Sequence, residues 1–398
     1  MKNINPYSIL IFSIISIFML YTLKWSLLYP TLSASVIVFF LITIVCLFLM
    51  ITVFKGITKN KKFNPHYAYK KYYEYIVVLV VIGTILDGMY SHGYPLLGSL
   101  KYGEDFGVPF LHVFTSILAS FVAYMLLMVI TFQKRHRLKA FVLLSITTIC
   151  LFLPFSRLII ILTLLNYVWS FIYIKLRSSQ FTFKKAIILM LFACVGLYLF
   201  GVLGNYRLNV QTNDSTKKVT DSTLIYQIGM PSQSFINSKI PSPYFWDYIY
   251  LTSSIGNLQN MITYSQSSST DIKKFVITQF FPDTISKKVY SDYSDEVKFN
   301  TFQYQISPSL NVGTIFYEPY YLFGWLGVYL MLFFLLVFPI LYLLIIQNVE
   351  SRYFIYGLSV LNTIYVFMLF DNMFTLSVLS LQLLIPPISM IVIKNKNS

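Results

Sequence analysis

Residues 200–225 read FGVLGNYRLNVQTNDSTKKVTDSTLI, and within this stretch a long apolar run gives way to a polar segment. The polar segment extends to about Glu318 and carries nine of the fifteen acidic residues of the chain. Tyr and Phe occur throughout it, which is not typical of a disordered tail, so it is expected to form short helices. The change in composition divides the chain into residues 1–204, 205–318 and 319–398.

The composition of the whole chain is that of a membrane protein. Hydrophobic residues make up 57% of the chain, charged residues only 11%, and the mean hydropathy is +0.68. Soluble domains have about a quarter charged residues. The three cysteines all lie in apolar runs, so they indicate neither a disulfide framework nor a metal site. The sequence therefore predicts an all-α polytopic membrane protein.

Apolar periodicity predicts about ten transmembrane helices, each near the roughly 20 residues needed to cross the hydrocarbon core. The run 140–173 is too long for one helix and is broken by Leu-Pro-Phe-Ser-Arg at 153–157, so it is predicted as two. The other predicted spans are 6–23, 32–54, 73–90, 111–132, 186–203, 321–346, 353–369 and 375–393. An even number of spans places both termini on one side and the polar segment on the other.

The net charge of +15 follows this topology. When the loops are assigned alternately to the two sides, the side of the termini carries eighteen Lys and Arg and two acids. The other side carries twelve Lys and Arg and thirteen acids. An excess of Lys and Arg marks the cytoplasmic side. We therefore expect both termini in the cytoplasm and one large extracytoplasmic loop, in the cytoplasmic (inner) membrane. Because the charge is explained by topology, no nucleic-acid partner is expected.

Two arginines do not fit the topological pattern. Arg157 and Arg207 lie on the predicted outer side beside apolar spans, whereas the other four arginines lie in predicted cytoplasmic loops. A guanidinium offers a fork of donors that matches phosphate oxygens, and its placement at a membrane boundary requires a partner. A phosphate-bearing lipid would supply that partner. Pairing with a structural acid such as Asp87 or Asp371 is the alternative.

Several side chains at the outer face are candidates for proton transfer. A general base must reach the hydroxyl that it activates, and two histidines flank an outer loop rich in turn residues. Either histidine could equally be structural. The candidates are His112, His92 and Asp247, together with Asp87, Glu104, Asp105, Glu318 and Asp371.

Motifs of several enzyme classes are missing from the sequence. It contains no phosphate-binding Gly-Lys-Ser/Thr loop, no His-Glu-x-x-His and no Gly-x-Ser-x-Gly. ATP-driven transport, zinc proteolysis and serine-hydrolase chemistry are therefore disfavoured. A reaction at the outer face without ATP needs an activated donor, such as a lipid-linked pyrophosphate. With no acidic pair suggestive of a divalent metal, we expect a metal-independent reaction without a cofactor.

Short motifs occur in a particular order along most of the chain. They are Gly-Tyr-Pro-Leu-Leu at 93–97, Phe-Gly-Val-Pro-Phe-Leu-His at 106–112, Phe-Ser-Arg at 155–157, Gly-Asn-Tyr-Arg at 204–207, Tyr-Leu-Thr-Ser at 250–253, Asn-Leu at 257–258, Asn-Val-Gly-Thr at 311–314 and Tyr-Leu-Phe-Gly-Trp-Leu-Gly at 321–327. In order and topology this pattern resembles the bacterial oligosaccharide repeat-unit polymerases, the Wzy-type O-antigen and capsule polymerases.

The resemblance implies a GT-C-like glycosyltransferase that joins undecaprenyl-pyrophosphate-linked repeat units into O-antigen, capsule or exopolysaccharide. The acceptor hydroxyl would attack the anomeric carbon and the lipid pyrophosphate would leave. Arg157 and Arg207 would stabilise that leaving group, and His112, then His92, then Asp247 are the candidate bases. A chain-length regulator, a flippase and membrane lipid are the partners implied. The substrate-positioning residues would be Asn205, Tyr206, Asn257, Asn311, Thr314 and Glu318.

Two other functions are consistent with the architecture. An O-antigen ligase uses the same donor with a different acceptor. A transporter or flippase would show broken helices, inverted repeats and charges near the middle of the membrane. In this sequence the charges gather at one face and one polar segment dominates, which favours the polymerase.

Overall fold

The computed structural model describes residues 4–58, 65–97, 106–154, 157–177, 183–211, 218–265 and 271–390. Side chains at 157, 176–177, 183–186, 188–189, 192–193, 210–211, 292–295 and 298 are not part of that description. Within the described ranges the chain forms helices and turns, with no β-strand beyond an isolated bridge between Ser26 and Pro231. The predicted all-α fold is confirmed.

The described helices fall into three groups along the chain. Before the polar segment lie α1 (Pro6–Thr22), α2 (Ala34–Thr58), α3 (Tyr72–Tyr90), α4 (Leu111–Phe132), α5 (Arg137–Phe152), α6 (Arg157–Arg177) and α7 (Phe183–Gln211). The polar segment contains α8 (Thr223–Gly229), α9 (Gln233–Ile236), α10 (Tyr244–Tyr264), α11 (Ile272–Phe280), α12 (Asp283–Val289) and α13 (Ser291–Phe302). The last group is α14 (Tyr317–Ile346), α15 (Ser351–Val366) and α16 (Ser377–Met390).

In the part of the chain that the structure describes, five helices are long and apolar enough to cross a membrane: α2, α3, α4, α14 and residues Leu158–Lys175 of α6. The apolar helices α1 and α16 are shorter. A helix occupies each of the ten predicted positions, and the predicted break at 153–157 separates α5 from α6. A helical membrane protein is thus supported. Ten crossings and a GT-C-like arrangement remain predictions.

The structure differs from the sequence prediction in α14, which was expected to be one continuous span. It begins at Tyr317 and is interrupted by non-helical backbone at Phe323 and Gly324. Gly324 has φ +58° and ψ −143°, a conformation that residues with a Cβ rarely adopt. A short helix over 317–322 therefore precedes the membrane span and is separated from it by a kink.

The polar segment is docked on turns at one end of the helix bundle. The amide of Leu27, between α1 and α2, donates to the Met230 carbonyl at 2.9 Å. The amide of Asp283 donates to the Thr375 carbonyl, just before α16, at 2.8 Å. Both turns are ones that the sequence assigns to the outer side.

The loops predicted to be cytoplasmic meet at the other end. Lys139 of α5 forms a 2.8 Å ion pair with Glu74 in the first turn of α3. The Tyr69 amide donates to the side chain of Gln133, which follows α4, at 2.7 Å. These two contacts join the start of α3 to the loop between α4 and α5, and the assignment of the loops to two sides of a membrane stays a prediction.

Polar side chains inside the bundle join α4, α6, α15 and α16. The Ser120 and Thr163 hydroxyls are 2.6 Å apart, and those of Ser170 and Ser359 are 2.7 Å apart. The amide nitrogen of Gln382 donates to Ser120 Oγ at 3.1 Å. Because unpaired polar groups are costly in an apolar interior, these bonds fix how the helices are aligned against one another.

The helix α10 is the core of the polar segment and is longer than the short helices that we expected. Its 21 residues include the fully buried Phe245 and Ile249, which pack with Ile225 of α8 and Phe235 of α9. The helix also contacts α1, α7 and α14. The polar segment is therefore folded against the bundle.

Candidate functional site

The clearest pair of chemically active side chains lies between the end of α3 and the start of α4. His112 Nδ1 is 2.9 Å from Oδ2 of Asp87, which lies in the last turn of α3. The Val108 amide donates to the other carboxylate oxygen at 2.9 Å. The Asp87 side chain is 2% exposed and that of His112 is 23% exposed. A buried carboxyl group held at both oxygens therefore contacts a partly accessible imidazole.

The backbone before α4 is folded tightly to bring His112 into this position. Gly107 has φ +89°, and a Cβ at this residue would lie 2.8 Å from His112 Cβ. The Gly107 amide donates to Ser91 Oγ at 2.8 Å, which ties the loop to the end of α3. Phe110 has φ +66°, a sparsely populated conformation for a residue with a side chain. Strained backbone of this kind is frequent at functional sites.

The geometry of the pair suits a general base. A carboxylate opposite Nδ1 favours the tautomer with its proton on Nδ1, which leaves the lone pair on Nε2. A histidine oriented in this way accepts a proton from an attacking hydroxyl. The cavity beside it has a volume of about 10 Å³, room for roughly one water. A larger substrate would therefore approach His112 from the exposed edge of the ring.

This pairing bears on one of the alternatives that the sequence left open, and pairing of an arginine with Asp371 stays a prediction. An arginine was the sequence-based candidate partner for Asp87, whereas the structure places His112 against it. His92 lies five residues after Asp87, is exposed and has φ +55°. Nearby, Lys288 of α12 lies 4.0 Å from the centroid of the Phe110 ring, so the polar segment reaches this loop. Of the two histidines, His112 is the one held by a buried acid.

The two arginines differ in what the structure describes. Arg157 is the first residue of α6, and the position of its side chain lies outside the described part. Arg207 is half-buried near the end of α7. On α7, Gly204 and Asn205 contact Trp246 of α10, and helical geometry places Arg207 on the flank of that contact. A shared pyrophosphate contact of both arginines stays a prediction.

Asn257 of α10 organises the chain before α14. It is fully buried, and its amide nitrogen donates to the carbonyls of Leu310 and Val312, both at 2.7 Å. Its side-chain oxygen accepts from the Ile306 amide at 2.7 Å. All its polar atoms are thus occupied by backbone groups. The predicted substrate contact of Asn257 is replaced by a structural role.

Asn205 has a similar position at the junction of α7 and α10. Its oxygen accepts from the Trp246 indole nitrogen at 2.7 Å, and its nitrogen donates to Ser222 Oγ at 3.0 Å. It is 2% exposed, so it also holds the polar segment and does not face a substrate. Its neighbour Tyr206 is exposed and remains available for the predicted contact.

The remaining predicted substrate residues lie near the start of α14. Asn311 is exposed, whereas Thr314 is buried and its hydroxyl accepts from the Phe316 amide at 3.2 Å. Glu318 accepts from the amide nitrogen of Gln279 at 3.2 Å. Thr314 therefore shapes the turn. The substrate contacts of Asn311, which is exposed, and of Glu318 stay predictions.

Asp247 is a buried acid near the start of α10. It is 8% exposed, and its Oδ2 atom is buried without a hydrogen-bond partner. Burial disfavours the charged carboxylate and raises the pKa of Asp247 to about 7. At neutral pH it is therefore poised between its two protonation states, which is consistent with its predicted place among the proton-transfer residues.

Asp247 is expected to make stability depend on pH. Its pKa in the folded protein, about 7, is above the usual value of about 3.9, so folding strengthens proton binding. Stability should therefore fall as pH rises from about 4 to about 7. Asp247→Asn should raise the free energy of unfolding at pH 8 by about 4 kcal/mol and have little effect at pH 4. Thermal melts at both values measure this, with the exposed acid variant Glu296→Gln as control; an unaltered pH profile in Asp247→Asn would contradict it.

Sequence reasoning identified both members of the histidine and aspartate pair but not their contact. The signal available was their position, with an acid at the end of one predicted span and a histidine at the start of the next, both on the outer side. It missed Trp246 as the partner of Asn205, and Gln279, whose carbonyl accepts from the side-chain nitrogen of Asn372 at 2.8 Å. These contacts join residues far apart in the chain.

Within the described residues, no group of three or more His, Cys, Asp or Glu side chains could hold a metal ion. A metal-independent reaction stays a prediction.

The chain was also compared with protein-family models, curated proteins and solved structures. None of the three comparisons gives a match.

Proposed function

We propose that this chain is a membrane glycosyltransferase that polymerises lipid-pyrophosphate-linked oligosaccharide repeat units at the outer face of the cytoplasmic membrane. The observation that carries the proposal is the 2.9 Å contact between His112 and the buried Asp87. It lies at the end of the bundle on which the polar segment is docked. The order of motifs shared with the Wzy-type polymerases supports the same activity.

The proposed reaction uses His112 as general base. Its Nε2 removes the proton from an acceptor hydroxyl, and the oxygen attacks the anomeric carbon of the donor sugar. The bond between that carbon and the pyrophosphate oxygen breaks, and the lipid pyrophosphate leaves. Arg157 and Arg207 stabilise the negative charge that develops on the leaving group. Asp87 is a positioning residue, because it holds the imidazole and does not contact the substrate.

The proposal includes a topology of ten crossings, with both termini in the cytoplasm and the polar segment outside. The separation of loops into two ends supports it, because Lys139 lies at the end opposite the docked segment. Membrane lipid, a chain-length regulator and a flippase are the proposed partners. A ligase differs only in its acceptor, so its substrate preference distinguishes it.

Arg207→Lys tests the proposed pyrophosphate contact, because lysine keeps the charge but loses the fork of donors. We expect polymer formation to fall by about 10²–10³-fold, the usual effect of removing one donor to a developing oxyanion. The measurement is a glycan ladder made by purified protein in membranes from a lipid-pyrophosphate-linked repeat unit.

Arg137→Lys is the matched control, because Arg137 lies at the other end of the bundle and donates to the Ile130 carbonyl. It should leave the ladder unchanged. Equal activity of Arg207→Lys and the wild type would remove Arg207 from the site. If the wild type makes no ladder but moves the lipid-linked unit across the bilayer, the protein is a transporter. If it transfers glycan only to a different acceptor, it is a ligase.

A further inference from the structure

An apolar groove lies between α11 and the middle of α14. Its volume is about 300 Å³. One wall is a stripe on α14 whose residues recur every three or four positions, over 12 residues or about 16 Å of helix. The stripe consists of Leu330, Phe333, Phe334, Val337, Phe338 and Leu341. Phe333 is 65% exposed and Leu341 is 52% exposed. The groove is therefore open to the medium around a candidate membrane span.

The other wall is formed by α11, which lies along α14. Ring centroids of Phe275 and Phe323 are 5.1 Å apart, and those of Phe280 and Phe334 are 4.5 Å apart. The two contacts show that α11 follows α14 from the kink toward the middle of the span. Ile272 and Val276 complete this wall, so every lining residue is aliphatic or Phe. The polar segment thus contributes one side of a groove within the membrane part.

The first turn of α11 carries two lysines. Lys273 is exposed, and Lys274 is half-buried with its ammonium 6.0 Å from the Tyr290 ring centroid. In the sequence, Lys273 adjoins the groove residue Ile272, and Lys274 adjoins the groove residue Phe275. An apolar groove with cations beside one end is complementary to a long hydrocarbon chain that ends in an anionic group.

We propose that this groove holds the polyisoprenoid chain of the lipid-linked donor, with Lys273 and Lys274 at the end of the groove from which the pyrophosphate emerges. The identity of the lipid rests on the proposed function. Three observations favour this occupant: the groove lies on a candidate membrane span, two lysines follow its residue Ile272 in the chain, and it is walled by the same polar segment that contacts the loop before His112.

The test uses a sugar-free polyprenyl pyrophosphate with a photoreactive group on its chain, and purified full-length protein. Cross-linked peptides mapped by mass spectrometry should contain α11 and α14 residues of the groove. Val337→Trp places an indole in the groove and should lower labelling by about tenfold. The indole would displace part of the bound hydrocarbon chain, and the loss of about two buried CH₂ groups lowers the affinity for the lipid by roughly tenfold. Val45→Trp is the matched control, since Val45 is 59% exposed on the membrane helix α2, and it should label like the wild type.

The outcomes separate this proposal from the proposed function. Labelling spread over other helices, or unchanged in Val337→Trp, would overturn the groove assignment. Equal labelling by a phospholipid carrying the same photoreactive group would show a general lipid-facing surface and would also overturn it. Because the probe has no sugar, labelling does not depend on glycan transfer. A labelled groove in a protein that builds no ladder would contradict the glycosyltransferase alone.

Discussion

Replacement of His112 by Gln should lower glycan-ladder formation by about 10²–10⁴-fold, the usual contribution of a positioned general acid or base. Glutamine is polar and of similar size, so it can still donate to the buried carboxyl group of Asp87. It offers no basic nitrogen to the acceptor hydroxyl. The measurement is the rate of ladder formation by purified protein at a fixed concentration of lipid-linked repeat unit, together with its thermal midpoint.

The matched control is His92→Gln, the same substitution at an exposed histidine on the same end of the bundle. It should leave the rate unchanged. Asp87→Asn should also lower the rate, because the amide no longer fixes the Nδ1-protonated tautomer. A fully active His112→Gln protein would eliminate His112 as the base and would direct attention to Asp247.

Replacement of Asn257 by Leu should destabilise the protein by about 3–5 kcal/mol. The substitution keeps the volume but leaves two carbonyls and one amide without their partner, and each unsatisfied buried group costs about 1–3 kcal/mol. The affected groups belong to Ile306, Leu310 and Val312, which lead into α14. Unfolding of the detergent-solubilised protein by heat measures the loss, and limited proteolysis should show earlier cleavage near 303–313.

Asn260→Leu is the control for this effect. Asn260 lies three residues further along α10 and is half-buried, and its side chain makes none of the three Asn257 contacts. It should change stability much less. A similar thermal midpoint for the Asn257→Leu protein and the wild type would contradict the structural role and would return Asn257 to the list of substrate contacts.

Together the two substitutions separate chemistry from folding. His112→Gln should lose activity while the thermal midpoint stays close to that of the wild type, because the imidazole is partly exposed. Asn257→Leu should lose stability first, and activity only as a consequence. If both lost stability to the same extent, the pair of His112 and Asp87 would be a structural contact.

The amino-acid sequence by itself predicted the all-α class and the positions of the helices, which the described residues confirm, whereas the grouping of the loops on two sides of a membrane stays a prediction. Backbone polar groups must be satisfied within each apolar run in a bilayer, so such runs form helices whatever their partners. The break at 153–157 was predicted because a proline interrupts a run too long for one helix, and α5 and α6 end and begin there. The distribution of Lys and Arg is equally local, since each loop contributes its own charges.

Only the tertiary structure decided which side chains meet. His112 and Asp87 are 25 residues apart, and Asn257 contacts backbone 49 to 55 residues away. Such contacts depend on how helices pack and on turns with positive φ, which no local pattern of hydrophobicity specifies. Asn205 and Asn257 were therefore predicted to contact substrate, because the sequence does not show whether an asparagine is exposed or buried. Burial and hydrogen bonding distinguish them, and both are properties of the folded chain.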